Sequence, residues 1–307
     1  MTPPLRKRLE RGAIYGLLLA VQALARVLPL RVLWALADAG ALVLAGLARR
    51  RQRLADANIA AAFPEMPLVE RRRVRLNSVR NVARTQLELL KTPYLSMARL
   101  RELMPLPDLA LLREALASGT GVIVVTAHYG QWEWLAVRLA DELGAVTSVA
   151  RDHAHSGVAA IMNRARMSHG LRLLTRDDLL EMLRVMRAGE VLTITPDQHA
   201  AMGGVLVDFL GRPAWTFRGP AALVRASGAR VFALFALRRG DGSFEVRLQP
   251  EIPMARTADR EADLLENTRR LNAAIEHAIR EAPDNWLWLH DRWKIHDTEA
   301  PGGAPTN

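Results

Sequence analysis

From residue 121 onward, short runs of apolar and β-branched residues alternate with longer amphipathic stretches. The first run, residues 121–126, reads GVIVVT and is typical of a buried strand, whereas residues 132–143 carry the apolar period of a helix. Such alternation predicts a three-layer α/β domain with a mixed, mostly parallel sheet and an antiparallel edge. The predicted strands are 121–126, 145–150, 191–195, 205–210, 231–237 and 243–248, and the predicted helices lie near 132–143, 157–168, 176–188, 217–227 and 261–281.

His128 and Glu133 follow the first predicted strand, five positions apart. On one continuous helix, side chains at this spacing point roughly 140° apart. They meet only if His128 lies in the turn, if Gly130 permits the bend and if Glu133 lies in the first helical turn. A carboxylate so placed would hold one ring nitrogen while the other faces a substrate. The alternative is that His128 caps the helix and Glu133 lies on its surface, but a strand-to-helix junction favours a site.

The chain supplies no evident nucleophile for such a base. It contains no Cys, which excludes thiolate catalysis, disulfides and Cys-based metal sites, and it contains no G-x-S-x-G turn. A substrate hydroxyl is therefore the expected nucleophile. His153 and His155 are one residue apart and resemble a metal-ligand fragment, but no third ligand stands at a recognisable spacing. We predict no metal and no cofactor.

The first hundred residues are both basic and apolar. They carry 18 Lys or Arg against 6 Asp or Glu, within a net charge of +10 for the whole chain. Residues 13–48 contain only Arg26, Arg31 and Asp38 as charges, and basic clusters flank them at 6–8 and 49–51. No nucleic-acid-binding motif accompanies this charge, so an anionic membrane surface is the expected partner rather than nucleic acid.

The apolar stretch is too interrupted for a simple membrane span, because a spanning helix needs about 20 uninterrupted apolar residues. Here the first apolar run ends before Arg26, and Pro29 breaks the pattern. We predict a monotopic or shallow anchor on the cytoplasmic face of the membrane, with a true span and a soluble helical hairpin as alternatives. The chain then divides into a membrane-associating helical segment (1–53), a catalytic domain (54–297) whose first part is mainly helical, and a disordered tail (298–307).

Four further blocks accompany the His128–Glu133 pair: NIAAAFPE at 58–65, TPDQ at 195–198, VDFLGRPAWT at 207–216 and WLWLHDRWK at 286–294. In this order they resemble the bacterial lipid A biosynthesis acyltransferases, the lauroyl/myristoyl-type enzymes. That family belongs to a wider glycerolipid acyltransferase superfamily, which is marked by His, four residues, and Asp or Glu. The resemblance covers about residues 10 to 296.

The resemblance implies an inner-membrane O-acyltransferase that needs no cofactor. The donor would be an acyl-acyl carrier protein or acyl-CoA, and the acceptor a hydroxyl of an anionic glycolipid such as a lipid A precursor. His128, oriented by Glu133, would act as general base. Alternatives are a phosphatidylinositol mannoside, lysophospholipid or ornithine lipid acyltransferase, and, from other classes, an inactive membrane-binding homologue or a thioester hydrolase.

The resemblance also implies site residues downstream of the His128–Glu133 pair. Arg164 matches a family arginine, with Arg166 two residues away, and Asp197 matches a family aspartate beside Gln198. The arginine would hold a phosphate or, with helix N-terminal amides, stabilise the tetrahedral oxyanion. Asp197 would position the arginine or bind a sugar hydroxyl, and Gln198 is a further candidate for binding the substrate or the oxyanion. A structural ion pair between the arginine and the aspartate is the alternative.

Overall fold

The computed structural model describes residues 5–150, 157–200 and 203–294, apart from some side chains of the first two helices. Two three-residue 3-10 turns, Thr92–Tyr94 and Pro283–Asn285, supplement the regular elements. The helices are α1 Leu5–Val27, α2 Leu30–Leu47, α3 Arg49–Ala62, α4 Leu68–Lys91, α5 Met97–Leu103, α6 Ala110–Ala117, α7 Trp132–Leu143, α8 Gly157–Met167, α9 Leu179–Arg187, α10 Gly219–Ser227 and α11 Arg260–Glu281. The strands are β1 Val122–Val125, β2 Val146–Ala150, β3 Arg172–Thr175, β4 Val191–Ile194, β5 Gly204–Phe209, β6 Arg212–Phe217, β7 Arg230–Arg238 and β8 Phe244–Leu248.

Six strands form one sheet in the order β3-β2-β4-β1-β7-β8. All neighbours are parallel except β7 and β8, which form an antiparallel edge. This confirms the predicted α/β class with its mixed, mostly parallel sheet. Because β1 lies between β4 and β7, its carboxyl end opens beside those of two parallel neighbours, where sites form in such sheets.

Helices cover both faces of the sheet. Along β1, Ile123 and Val125 belong to one buried apolar cluster with residues of α3, α9, α10 and α11. Val122 and Val124 belong to the other, with residues of α5, α6 and α7. Alternate residues of a strand point to opposite faces, so a continuous apolar run is what a strand covered on both sides requires.

Two strands of the structure, β3 and β6, were not predicted, and one predicted strand belongs to a different sheet. Strand β3 contains the sequence RLLT, too short and too poor in β-branched residues to be recognised. Strand β6 contains Pro213 at its second position, which argues against a strand in the sequence. It pairs with β5 in a separate two-stranded hairpin, so the run predicted at 205–210 does not join the main sheet.

The N-terminal helices α1 and α2 pack against α4 rather than standing apart. Ala25 and Leu33 are buried there, and Arg84 of α4 forms a bidentate ion pair with Asp38 of α2. The predicted boundary after residue 53 falls inside helix α3. Among the described residues, no helix combines the length and apolar character needed to cross a bilayer. The predicted tail, 298–307, lies outside the described residues.

Candidate active site

The turn after β1 carries His128 and contacts three other parts of the chain. Gly130 has φ +54, and a Cβ at this position would lie 1.8 Å from the carbonyl oxygen of Ala236 in β7. Only glycine therefore allows the close approach of the turn to the strand. The Gly130 N–H donates to the Asn285 carbonyl at 2.9 Å, and the Thr85 hydroxyl donates to the Gly130 carbonyl at 2.9 Å. The turn that presents His128 is thus fixed by α4, β7 and the C-terminal segment.

Asp197, which follows β4, holds the imidazole of His128. Its Oδ1 lies 2.8 Å from Nδ1 of His128, and its Oδ2 accepts the backbone N–H of His128 at 3.0 Å and Nε1–H of Trp286 at 2.9 Å. Asp197 is only 1% exposed. Burial raises the pKa of this carboxyl, but the charge of His128 and these hydrogen bonds outweigh it and lower the pKa to about 2. Asp197 is therefore ionised.

An ionised Asp197 dictates how the ring of His128 is used. The carboxylate requires a proton on Nδ1, so the neutral ring carries its lone pair on Nε2; this tautomer is assigned from the hydrogen-bond network. Nε2 lies 3.3 Å from Nε2 of Gln198, whose amide can donate to it. His128 and Gln198 both line the cavity described below. The arrangement is that of a general base and the carboxylate that orients it.

Glu133 does not take the place that the sequence suggested. Its carboxylate accepts Nη2–H of Arg166 at 2.7 Å and Nε–H at 2.8 Å, a bidentate pair. The physical reason is the direction of the first turn of α7, which aims Glu133 at α8, whereas the end of β4 brings Asp197 to the ring. The structure thus corrects the expectation that Glu133 orients His128. Both residues nevertheless line the same cavity.

The two candidate arginines of α8, Arg164 and Arg166, differ in their position relative to the cavity. Residues two apart on a helix point about 200° apart, so only one of the two can face the cavity. Arg166 lines it, whereas Arg164 is exposed. Burial lowers the pKa of Arg166, but the hydrogen bond and charge of Glu133 outweigh it and raise that pKa. Besides Glu133, Arg166 donates to the side chain of Asn163 at 2.9 Å. Three of its five N–H groups thus have partners among the described residues.

The amides at the start of α7 are not free to bind an oxyanion. The Oε1 of Gln131 accepts the backbone N–H groups of Glu133 and Trp134, both at 3.2 Å. Gln131 thereby caps the helix, as Asn or Asp side chains commonly do. The expectation that helix amides stabilise a developing negative charge does not hold for these two groups.

A cavity of about 420 Å³ opens at this end of the sheet. Its apolar wall includes one face of α7, formed by Leu135, Ala136 and Leu139. From Trp132 to Leu139 this face is about 10 Å long at the rise of an α-helix. Other apolar side chains come from α9, α10 and the end of β6. The polar residues of the lining are Gln86, Thr126, His128, Glu133, Ser148, Arg166, Arg176, Thr193, Thr195 and Gln198. A cavity that combines an apolar wall with several polar side chains suits an acyl chain with a reactive head group.

The C-terminal block at 286–294 contacts the residues around Asp197 through hydrogen bonds. The Nε2 of His290 accepts the backbone N–H of His199 at 3.0 Å, and burial lowers the pKa of His290 to about 4, so its ring is neutral. Trp286 is 1% exposed, and its contact with Asp197 was not predicted. The sequence signal was its place in the Trp-rich block. No group of three potential metal ligands occurs among the described residues, and His153 and His155 lie outside them.

Comparisons with known proteins find similar sequences over most of the chain. Residues 5–295 match the bacterial lipid A biosynthesis acyltransferase family. The chain is 25% identical over 249 residues to a lipid A biosynthesis palmitoleoyltransferase of Escherichia coli (strain K12), covering 80% of this chain and 79% of that protein. It is also 25% identical over 263 residues to a lipid A biosynthesis lauroyltransferase of the same strain, covering 84% and 82%. A phosphatidylinositol mannoside acyltransferase of Mycolicibacterium smegmatis is 25% identical over 221 residues, covering 70% and 71%.

Proposed function

Because this chain belongs to the bacterial lipid A biosynthesis acyltransferase family and is therefore an acyltransferase, we propose that it moves a fatty acyl chain from a thioester to a hydroxyl of an anionic glycolipid such as a lipid A precursor. The proposed donor is acyl-acyl carrier protein, with acyl-CoA as the alternative. The observation that carries the proposal is the His128 ring, which is bound through Nδ1 to the buried Asp197 and lines an apolar cavity.

The proposed mechanism is a direct transfer. Nε2 of His128 removes the proton of the acceptor hydroxyl, and the oxygen attacks the thioester carbonyl carbon. When the tetrahedral intermediate collapses, the C–O bond remains and the C–S bond breaks; the thiolate then takes the proton from the imidazolium. Asp197 stabilises the imidazolium while it exists. No acyl-enzyme is needed, and the chain has no Cys to form a thioester.

Arg166 is proposed to bind the negative charge of the substrate or of the intermediate. Two of its N–H groups are left after its contacts with Glu133 and Asn163. A guanidinium so placed can hold a phosphate of the acceptor or neutralise the oxyanion. Glu133 then has the role of aiming Arg166, and Gln198 is positioned to contact the acceptor hydroxyl beside His128.

The cavity is proposed to hold the acyl chain along α7. Leu135, Ala136 and Leu139 offer an apolar wall that leads away from His128. An apolar groove also shields the thioester from water, which is what separates transfer from hydrolysis. Two exposed leucines lie side by side on α9: Leu179, which lines the cavity, is 54% exposed, and Leu180 is 74% exposed.

Membrane association is proposed through α1 and α2, on the cytoplasmic face of the inner membrane. Both helices carry large apolar side chains that are exposed to solvent: Tyr15, Leu17, Leu19, Leu24, Val27, Val32, Leu36, Leu42, Val43 and Leu47. Exposed arginines at 49–51 follow directly. Apolar groups beside basic ones bind an anionic lipid surface by burying the former and pairing the latter. A shallow anchor of this kind brings the cavity to its lipid substrates.

The proposal is tested with purified protein, long-chain acyl-acyl carrier protein and a detergent-dispersed lipid A precursor. The expected result is an acylated glycolipid formed in step with free carrier-protein thiol, and loss of both products in His128→Ala. Free fatty acid released without an acceptor would support a thioester hydrolase instead. A parallel reaction with a phosphatidylinositol mannoside tests the alternative acceptor, and no turnover with any lipid would support an inactive homologue.

Lipid mass spectrometry of cells with and without the gene tests the same proposal without choosing a substrate. One glycolipid class should lack an acyl chain when the gene is absent, and its mass difference gives the chain length. If the lipid A fraction is unchanged while another lipid class loses a chain, the proposed acceptor is wrong.

A further inference from the structure

A second carboxylate, Glu88 of α4, lies fully buried behind the catalytic turn, with 0% of its surface exposed. Its Oε1 accepts Nε1–H of Trp34 at 2.6 Å and Nη1–H of Arg238 at 2.6 Å. Its Oε2 accepts Nη2–H of Arg238 at 2.8 Å and Nε2–H of Gln131. Glu88 therefore joins α2, β7 and the turn between β1 and α7 at one point. None of these groups lines the cavity.

The contact with Glu88 decides how Gln131 is oriented. A carboxylate can only accept hydrogen bonds. The amide nitrogen of Gln131, which donates, must therefore face Glu88, and the amide oxygen must face away. That oxygen is the one that accepts the N–H groups of Glu133 and Trp134 at the start of α7. If Glu88 lost its charge, the amide could rotate and present its nitrogen to those two donors. Helix α7 would then lose its cap.

The same cluster also holds the other half of the turn. Arg238 is 4% exposed at its side chain, and its Nη2 lies 3.4 Å from the hydroxyl of Thr85, which donates to the Gly130 carbonyl. The backbone N–H of Arg238 donates to Oδ1 of Asn285, whose carbonyl accepts the N–H of Gly130. Gly130 and Gln131 are thus both held by groups that contact the Glu88–Arg238 pair.

Stability alone does not account for a buried ion pair of this kind. Removing two charges from water costs about as much as their attraction returns, and well-packed apolar residues often serve as well or better. What the cluster provides is one defined geometry, because both oxygens of Glu88 accept two hydrogen bonds each, although the Nε–H of Arg238 has no partner among the described residues. In this chain the geometry concerns the residues between His128 and Glu133.

We propose that Glu88 is a positioning residue for acyl transfer. Through Gln131 it sets the start of α7, and with it the Glu133–Arg166 pair and the Trp132 side chain at the cavity, while Arg238 holds Gly130. Glu88 does not touch substrate. The inference rests on the proposed function, because it assigns Glu88 a role in the reaction for which His128 is the base.

The test compares Glu88→Gln with a buried carboxylate whose partners belong neither to the turn nor to the lining of the cavity. Asp263 of α11 is 2% exposed and is bound by Arg225 and by Thr257, so Asp263→Asn is the matched control. Unfolding midpoints, kcat and the KM of each substrate are measured where every variant is folded. Glu88→Gln should lose about 10²-fold in kcat, the cost of a misplacement of about 1 Å, with the donor KM nearly unchanged. Asp263→Asn should be destabilised but keep kcat within about twofold of wild type.

Two further variants keep the inference open to refutation if Glu88→Gln does not fold. Glu88→Asp keeps the charge, so its kcat should be at least about tenfold higher than that of Glu88→Gln. A residue that contributed only to stability would not produce this difference in kcat between folded variants. Gln131→Met removes the amide and should lower kcat as much as Glu88→Gln, with a double variant no worse than either. If wild type transfers acyl chains but Gln131→Met or Glu88→Gln keeps kcat within about twofold, Glu88 is not a positioning residue. If wild type shows no transfer, it is the proposed function that fails.

Discussion

Oδ1 of Asp197 lies 2.8 Å from Nδ1 of His128, although 69 residues separate the two in the chain. The contact arises because β4 and β1 are parallel neighbours whose carboxyl ends meet at one edge of the sheet. Trp286 and the backbone of His128 satisfy the second oxygen of the carboxylate. This geometry supports the proposal that His128 acts as a base through Nε2.

Arg166 and Arg164 form a matched pair of test positions, two residues apart on α8. Arg166→Ala should lower kcat/KM for the acceptor by about 10²-fold or more, since it removes the proposed donor to a phosphate or oxyanion. Arg164→Ala should stay within about twofold of wild type because Arg164 is exposed and outside the cavity. Steady-state kinetics with varied acceptor make the comparison. A larger loss of kcat/KM in Arg164→Ala than in Arg166→Ala would mean that Arg164 has the proposed role.

Glu133→Gln tests whether Glu133 acts through Arg166. The amide keeps the size of the side chain but gives up the charge that pairs with the guanidinium. We expect a loss in kcat/KM similar in size to that of Arg166→Ala, and a double variant that is no worse than either single one. Additive losses would mean that Glu133 and Arg166 contribute independently.

Ala136 and Leu139 are predicted to set the length of the acyl chain. Ala136→Leu fills part of the cavity beside α7 and should shift preference toward shorter chains. Leu139→Ala enlarges it and should admit longer ones, at a cost of about 3 kcal/mol in stability because Leu139 is fully buried. Competition among saturated acyl-carrier-protein thioesters of increasing length gives the readout. An unchanged preference in both variants would place the chain elsewhere.

His290 is predicted to make the fold sensitive to mild acid. Its pKa is about 4 in the folded protein and 6.5 ordinarily, so below pH 6.5 the unfolded chain binds a proton that the folded one does not. The free energy of unfolding should therefore fall as the pH drops from about 6.5 to about 4, by about 1 to 2 kcal/mol at pH 5. Urea unfolding at pH 7.5 and pH 5 measures it. The loss should shrink in His290→Gln, and an equal loss in that variant would contradict the assignment.

Asp197 should affect the free energy of unfolding at lower pH than His290 does. Its pKa is about 2 in the folded state against an ordinary 3.8, so its ionised form stabilises the fold above pH 3.8, and this contribution is lost as the pH falls through about 2. The contributions of His290 and Asp197 to the free energy of unfolding therefore change at different pH values. A His290 variant should still lose stability below about pH 3.8, as the wild type does.

Much of the fold was predictable because the central strands are buried on both faces. Their continuous β-branched runs, such as GVIVVT at 121–126, identify strands without reference to anything distant. The pieces that were missed lack that signal: β3 is short and β6 contains Pro213. The pairing of β5 with β6 away from the main sheet depends on tertiary packing, which local pattern does not encode.

Several candidate residues named from the sequence lie together in the structure, but their contacts were not predicted. His128, Glu133, Arg166 and Gln198 line one cavity, whereas the hydrogen bond between Asp197 and the imidazole was not expected. Spacing shows that Glu133 can lie near His128, whereas the position of Asp197 depends on which strands are neighbours. Helical period distinguishes Arg166 from Arg164 only once the direction of α8 is known.

The rate of acyl transfer by Asp197→Asn tests the account most directly. Asparagine preserves the shape of the side chain but favours the wrong tautomer of His128, a change that lowers kcat about 10⁴-fold in a serine protease with the same base-and-carboxylate arrangement. We predict a loss approaching that size in purified, folded protein given acyl-acyl carrier protein and its glycolipid acceptor. A kcat within about tenfold of wild type would contradict the assignment of Asp197 as the residue that orients the catalytic base.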